Sequence, residues 1–98
     1  MLLGKFTKEP ADRKRYAIDY QDWLEQPEII TNIDVQIPQG GVSFFVDSIV
    51  TDELKKQVFL YVSGGEDGET YDVIVTIDTT ASQIKQDYIQ FDIRASRG

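Results

Sequence analysis

Apolar and polar residues alternate with period two over most of the chain. Val58, Leu60 and Val62 alternate with Phe59, Tyr61 and Ser63, and further on Tyr71, Val73, Val75 and Ile77 alternate with Asp72, Ile74, Thr76 and Asp78. That period belongs to strands with one face in a core. Gly64, Gly65, Asp67 and Gly68 lie between the two runs and supply the positive φ angles of a tight reversal, so residues 57–78 read as a β-hairpin. A first strand is expected over 14–20, with Tyr16, Ile18 and Tyr20 on one side. Asp22-Trp23-Leu24-Glu25 interrupts the alternation for about one turn, Pro27 ends it, and Trp23 and Leu24 plug one end of the core.

The run 28–37 puts Ile29, Thr31, Ile33, Val35 and Ile37 on one face and Ile30, Asn32, Asp34 and Gln36 on the other. Pro38-Gln39-Gly40-Gly41 then turns the chain. From 42 to 50, Val42, Phe44, Val46, Ser48 and Val50 oppose Phe45, Asp47 and Ile49, so both faces are partly apolar. Residues 51–56 suit a short polar turn with Thr51 as its cap. The last strand, 86–94, points Ile89, Phe91 and Ile93 inward and Tyr88, Gln90, Asp92 and Arg94 outward, before a tail from Ala95. Short strands at this spacing, with nothing of helical length between them, predict an all-β chain: an antiparallel β-sandwich of six or seven strands. The expected core is Tyr16, Ile18, Ile29, Ile33, Val35, Phe44, Val46, Val58, Leu60, Val62, Tyr71, Val73, Val75, Ile77, Ile89, Phe91 and Ile93.

Residues 1–13 show neither period and end in a Pro10 turn, so they read as an extended N-terminal arm preceding a single domain over 14–98. The 98 residues hold one core. No apolar run is long enough to span a membrane and Met1-Leu2-Leu3 does not open a signal-peptide core, so the expectation is a chain made and kept soluble.

Charge sharpens this picture. The formal net charge is −7, but residues 1–15 carry five basic and two acidic side chains, whereas 19–72 carry twelve acids and two lysines. An acidic body repels phosphate backbones and argues against nucleic acid as a partner. The basic arm suits an acidic surface, another copy of the chain included.

With no histidine and no cysteine, the usual general bases, triads, thiolates and transition-metal ligands are missing. Ser43, Ser48, Ser63, Ser82 and Ser96 have no imidazole to activate them, and no carboxylate pair is singled out by an apolar setting. The glycine-rich stretch 64–69 has no Lys-Ser or Lys-Thr after it for a phosphate loop. It also lacks the alternating ligands of a calcium loop, leaving Glu66, Asp67 and Glu69 with incidental affinity at most. No enzyme activity, cofactor or metal is expected. Apolar residues opposite the core faces, Phe45, Phe59, Tyr61 and Tyr88 together with Ile49 and Ile74, mark interaction surface. With Leu2, Leu3 and Phe6 of the arm, the first four make the expected interface.

The stretch from Val62 through Tyr71 to Ile77 resembles the turn and strand of immunoglobulin- or fibronectin-type domains, in which a Tyr at the strand start hydrogen-bonds back across the corner. Glu9-Pro10, Tyr16-Ala17-Ile18-Asp19-Tyr20 with Asp22-Trp23-Leu24, Ile37-Pro38, and Ser63-Gly64-Gly65 with Gly68 and Tyr71 follow in an order that resembles, over residues 6–94, small proteins from the structural-gene clusters of tailed bacteriophages and prophages. Thr79-Thr80-Ala81-Ser82-Gln83 replaces that family's Thr-Ser-x-Gly-Arg turn. The resemblance implies a virion structural protein, either decorating a capsid or placed at the head-to-tail junction or tail. Its implied partners are other virion structural proteins, and its implied state is a homo-oligomer or many copies on a symmetric shell. The alternative is a β-sandwich module binding carbohydrate or a host surface through Tyr61 and Tyr88.

Overall fold

The computed structural model describes residues 1–25, 27–39 and 43–95. Among them are seven strands: β1 (Leu2–Lys8), β2 (Arg13–Asp19), β3 (Ile30–Gln36), β4 (Phe44–Thr51), β5 (Gln57–Gly64), β6 (Thr70–Thr79) and β7 (Ile84–Ile93). They form two sheets, a four-stranded one in the order β1-β7-β6-β3 and a three-stranded one in the order β2-β5-β4. All pairs are antiparallel except β1 with β7, which is parallel. Strands two, five and four on one side and three, six and seven on the other follow the immunoglobulin-type arrangement. Gly40, Gly41 and Val42, and the tail beyond Ala95, lie outside the described residues.

The inner faces close on one core. Val58, Leu60 and Val62 of β5 meet Val73, Val75 and Ile77 of β6 and Ile89, Phe91 and Ile93 of β7, all buried. Aromatic rings hold one end together: Phe44 stacks on Tyr71 with centroids 4.2 Å apart, and Tyr16 meets Phe91 edge-on at 4.8 Å. At the other end Trp23 and Leu24 both donate their N–H to the Tyr20 carbonyl in a single turn. That turn buries Leu24 and tilts Trp23 against Tyr20.

The stretch 57–78 is not a hairpin. Its two strands lie in different sheets, and the connection between them crosses the end of the sandwich. Alternation on both arms is satisfied equally by two strands facing one core from opposite sides, and the register of β6 is claimed by β3 and β7. The glycines serve the crossing. Gly64 and Gly65 have φ of 78° and 107°, and a Cβ on Gly65 would stand 2.7 Å from the Ile93 side chain. Glu66 to Glu69 then form a turn with positive φ only at its third residue, Gly68 (90°), closed by Glu69 N–H to Glu66 O at 3.0 Å. The Tyr71 hydroxyl accepts the Glu66 N–H at 3.3 Å, tying the crossing to the start of β6. This is the corner tyrosine that the resemblance implied.

The expected free arm is a strand of the sheet. Its lack of period has a physical cause: β1 is an edge strand with a register shift between Leu2 and Gly4, so only part of it faces the core. Phe6 lies over Tyr16 and Phe91, centroids 4.9 and 6.0 Å away. Lys8 is buried, and its ammonium donates to the carbonyls of Gly64 (2.6 Å) and Glu9 (2.8 Å). Loss of solvent pushes its pKa below the ordinary lysine value, with Asp12 pulling it partly back.

Two bulges shift the expected faces. A register shift between Ile30 and Asn32 brings Ile30 into the core with Ile33 and Val35 and leaves Ile29 only half-buried. A second, between Val46 and Ser48, pairs Ile49 with core Leu60 and puts Ser48 and Val50 opposite Tyr61 and Phe59 on the outer face. In the 52–56 turn the cap is Asp52, not Thr51: its carboxylate accepts from the N–H of Lys56 (2.8 Å) and Gln57 (2.9 Å).

Glu28 is buried beneath the β6–β7 turn. It accepts from the Thr79 hydroxyl, the Gln83 amide (2.9 Å) and the Glu25 N–H (3.0 Å). The Thr79 bond above all holds its carboxyl below the ordinary value of 4.5. A depressed carboxyl contributes stability that is full above the unfolded value and is lost as pH falls through the folded one. Stability should therefore fall below about pH 4, and Glu28→Gln should flatten that fall while lowering the midpoint at pH 7. Thermal unfolding from pH 3 to 7 checks it, and an acid limb unchanged in the variant would contradict it. Deleting residues 1–8 strips the Phe6 ring and the Lys8 contacts from the core. The loss should be at least ~2 kcal/mol, or roughly 10 °C in midpoint for a domain of this size; an unchanged midpoint would return β1 to the status of an arm.

Candidate interaction surface

The outer face of the three-stranded sheet is laid out in rows by its register. Arg13, Ser63 and Phe45 lie side by side, then Arg15, Tyr61 and Ser48, then Ala17, Phe59 and Val50. These residues alternate with the buried Tyr16, Ile18, Leu60 and Val62, so the same period that builds the core sends them outward. Phe45 and Val50 are 44% and 47% exposed; Phe59 and Tyr61 are half-buried beneath arginines. The Arg13 guanidinium stands 4.5 Å from the Tyr61 centroid and that of Arg15 stands 5.4 Å from Phe59. Such contacts contribute ~0.5–1 kcal/mol at exposed sites and hold the cations flat over the aromatic surface.

Arg13 also reaches across β5 to β4. Its Nε lies 3.0 Å from both Asp47 carboxylate oxygens and its Nη2 lies 2.8 Å from Oδ1, while the Ser63 hydroxyl donates to Oδ2. Asp47 is the one charge on β4, and this fork folds it back over the sheet. The edge that remains displays Phe45, Ile49 and Val50 with no charged guard, whereas Arg13, Lys14 and Arg15 line the opposite edge at β2. Arg15 has no ion pair among the described residues.

The outer face of the four-stranded sheet differs. Ile74 and Tyr88 are register partners, Leu2 is paired with Tyr88, and Met1, Ile74 and Tyr88 line a hollow of about 230 Å³ with Asp72 and Gln86 at its rim. Asp72 accepts from the amides of Gln39 (3.0 Å) and Gln90 (3.2 Å). Asp34, Asp72 and Asp78 share this face and form no ion pair among the described residues. Asp87, on the inner side of β7, is buried and meets the Lys85 ammonium at 3.4 Å and the Met1 amino group at 3.6 Å.

The expected interface residues thus fall into three places. Phe45, Phe59 and Tyr61 come together on the outer face of the three-stranded sheet. Tyr88 lies on the other outer face with Leu2, so Tyr61 and Tyr88 cannot form one platform. Phe6 lies against Tyr16 and Phe91 at the open edge and stays 42% exposed, and Leu3 sits exposed at the register shift of β1. Val50, Arg13 and Arg15 belong to the first surface but were not expected there. The bulge hid Val50, while Arg13-x-Arg15-x-Ala17, alternating with Tyr16 and Ile18, carried a readable strand signal. Among the described residues no three acidic side chains converge to hold a metal ion.

A family model for the podophage GP4 fiber-tail adaptor protein gp77 matches residues 8–92. No curated protein matches the chain. Among solved structures, the fold is similar to part of a 2,6-sialyltransferase from Photobacterium sp. JT-ISH-224, crystallised with CMP and lactose. The TM-score is 0.53 at 12% identity, over 97% of this chain and 18% of that one. It is also similar to the PKD domain of the KIAA 1837 protein, with a TM-score of 0.50 at 15% identity over 96% of this chain and 81% of that one. The PKD likeness supports an immunoglobulin-like β-sandwich, and both likenesses concern the fold alone.

The Arg13 fork, with Ser63 assisting, holds the Asp47 carboxyl below the ordinary aspartate value of 3.8. In Arg13→Gln the Asp47 titration, followed by carbon NMR, should move up towards that value. A titration that does not move would mean the fork is absent in solution.

Proposed function

The chain belongs to the podophage GP4 fiber-tail adaptor protein gp77 family, and from that premise, as a tail-associated structural component of the virion, we propose that it acts as a joint between other virion proteins, using the outer face of its three-stranded sheet as a contact surface. The observation that carries this reading is the set Phe45, Val50, Phe59 and Tyr61 on one face, overlaid by Arg13 and Arg15. Aromatic residues and arginine are the types that concentrate binding energy in protein interfaces, whereas a face in contact only with water has no use for exposed Phe and Val on the same side of one strand. The work done is assembly, not turnover: the chain has no histidine or cysteine.

The surface is pre-formed. Its side chains stand on three paired strands over a closed core, and the Arg13–Asp47 fork fixes one cation in place, so little ordering cost remains for binding. The charges set orientation and encounter rate, and the apolar rows supply most of the affinity.

Phe45→Glu and Val50→Lys change exposed side chains and should leave the dichroism and thermal midpoint of the domain intact. Particles assembled with either variant should contain at least tenfold less of the protein by quantitative mass spectrometry. Incorporation at the wild-type level in both would remove this face from the assembly.

A further inference from the structure

The two outer faces of the sandwich complement each other. On the three-stranded sheet, Phe45 and Val50 stand out on β4, across β5 from Arg15, whose charge has no ion partner among the described residues. On the four-stranded sheet a hollow floored by Ile74 and Tyr88 is rimmed by Asp72, with Asp34 on the neighbouring edge strand and no ion pair to either. One face therefore offers apolar projections with a cation outside any ion pair among the described residues, and the other an apolar recess with carboxylates likewise outside any ion pair. We propose that the outer face of the three-stranded sheet is occupied by the outer face of the four-stranded sheet of a second copy of this chain, so that copies associate head to tail.

Charge selects this arrangement over its rivals. Each copy carries a net charge of −7, so random contacts between copies are repulsive, and β2, with Arg13, Lys14 and Arg15 in succession, is the strand richest in cations. A two-fold contact through the three-stranded sheet would bring two arginine-bearing faces together, and one through the four-stranded sheet two aspartate-bearing faces. A heterologous contact pairs unlike charges and leaves one face of each kind free at the ends of the assembly, so it grows until rotation closes a ring. The inference rests on reading the three-stranded sheet as a contact face, and adds what sits on it.

The test uses the full chain, purified, in sedimentation equilibrium at low and high salt. Wild-type protein should associate beyond a monomer, at least tenfold more weakly in 0.5 M than in 0.05 M salt. Arg15→Glu and the double variant Asp34→Lys/Asp72→Lys should each associate at least tenfold more weakly alone. Mixed in equal amounts they should associate again as alternating copies, because the new acid on one three-stranded sheet meets the new lysines on the other copy's four-stranded sheet while the two unchanged faces still match. If the double variant fails to fold, Asp34→Lys at its exposed site takes its place. A wild-type protein that stays monomeric up to millimolar concentration overturns the proposal, as does association indifferent to these variants or a mixture no stronger than its components. Because no other virion protein is present, a monomeric result combined with loss of Phe45→Glu from particles would overturn the second copy as occupant while leaving the contact face in place.

Discussion

The structure depends on where the first strand goes. β1 runs parallel to β7 along the edge of the four-stranded sheet and does not add to β2. That choice covers the edge of the last strand, lays Phe6 over Tyr16 and Phe91, and brings the Lys8 ammonium to the Gly64 carbonyl at the mouth of the sheet-crossing loop. A lysine is buried only where its donors are met, so this contact locks the first strand, the end of β5 and the crossing together. It also decides what is left outside: β2 becomes a free edge carrying Arg13, Lys14 and Arg15.

How much of this could be read in advance depends on which forces act locally. Alternation is local, and it placed Tyr16, Ile18, Val58 to Val62, Tyr71 to Ile77 and Ile89 to Ile93 on their inner faces, because a side-chain period of two leaves no other way to bury them. Bulges are not local: the extra residue at Asp47 is tolerated because β4 pairs on one side only, and nothing in Phe-Phe-Val-Asp-Ser-Ile-Val announces it. The reading of 57–78 as a hairpin failed for a related reason. Gly-Gly-Glu-Asp-Gly suits a tight reversal and a sheet crossing alike, and the difference lies in β3 and β7, far off in sequence, which take both edges of β6. β1 was missed because a half-exposed parallel edge strand with a register shift has no clean period.

The outer surfaces follow from the same rules and yet were only partly legible. Phe45, Phe59 and Tyr61 were recognisable as outward and apolar, but their adjacency needed the strand order β2-β5-β4, and Tyr88 could be separated from them only once the sheets were known. The cations over the aromatics come from β2 lying next to β5. The sandwich thus presents an aromatic face with arginines on one side and a recessed acidic face on the other. That two-sidedness is in keeping with a family described as fiber-tail adaptors.

The central claim is that residues 2–8 belong to the folded sandwich and, by pairing with β7, leave β2 as an open edge. Native-state amide hydrogen exchange of the full chain tests it most directly, because protection reports the opening free energy of each paired amide. The account predicts that the β1 amides bonded to β7 exchange slowly, within about tenfold of those of an edge strand such as β3, and that the N–H of Arg94, donated to the Lys8 carbonyl at 3.0 Å, is protected with them. Exchange of the β1 amides and of Arg94 N–H at the rate of an unfolded chain, with β5, β6 and β7 fully protected, would contradict it.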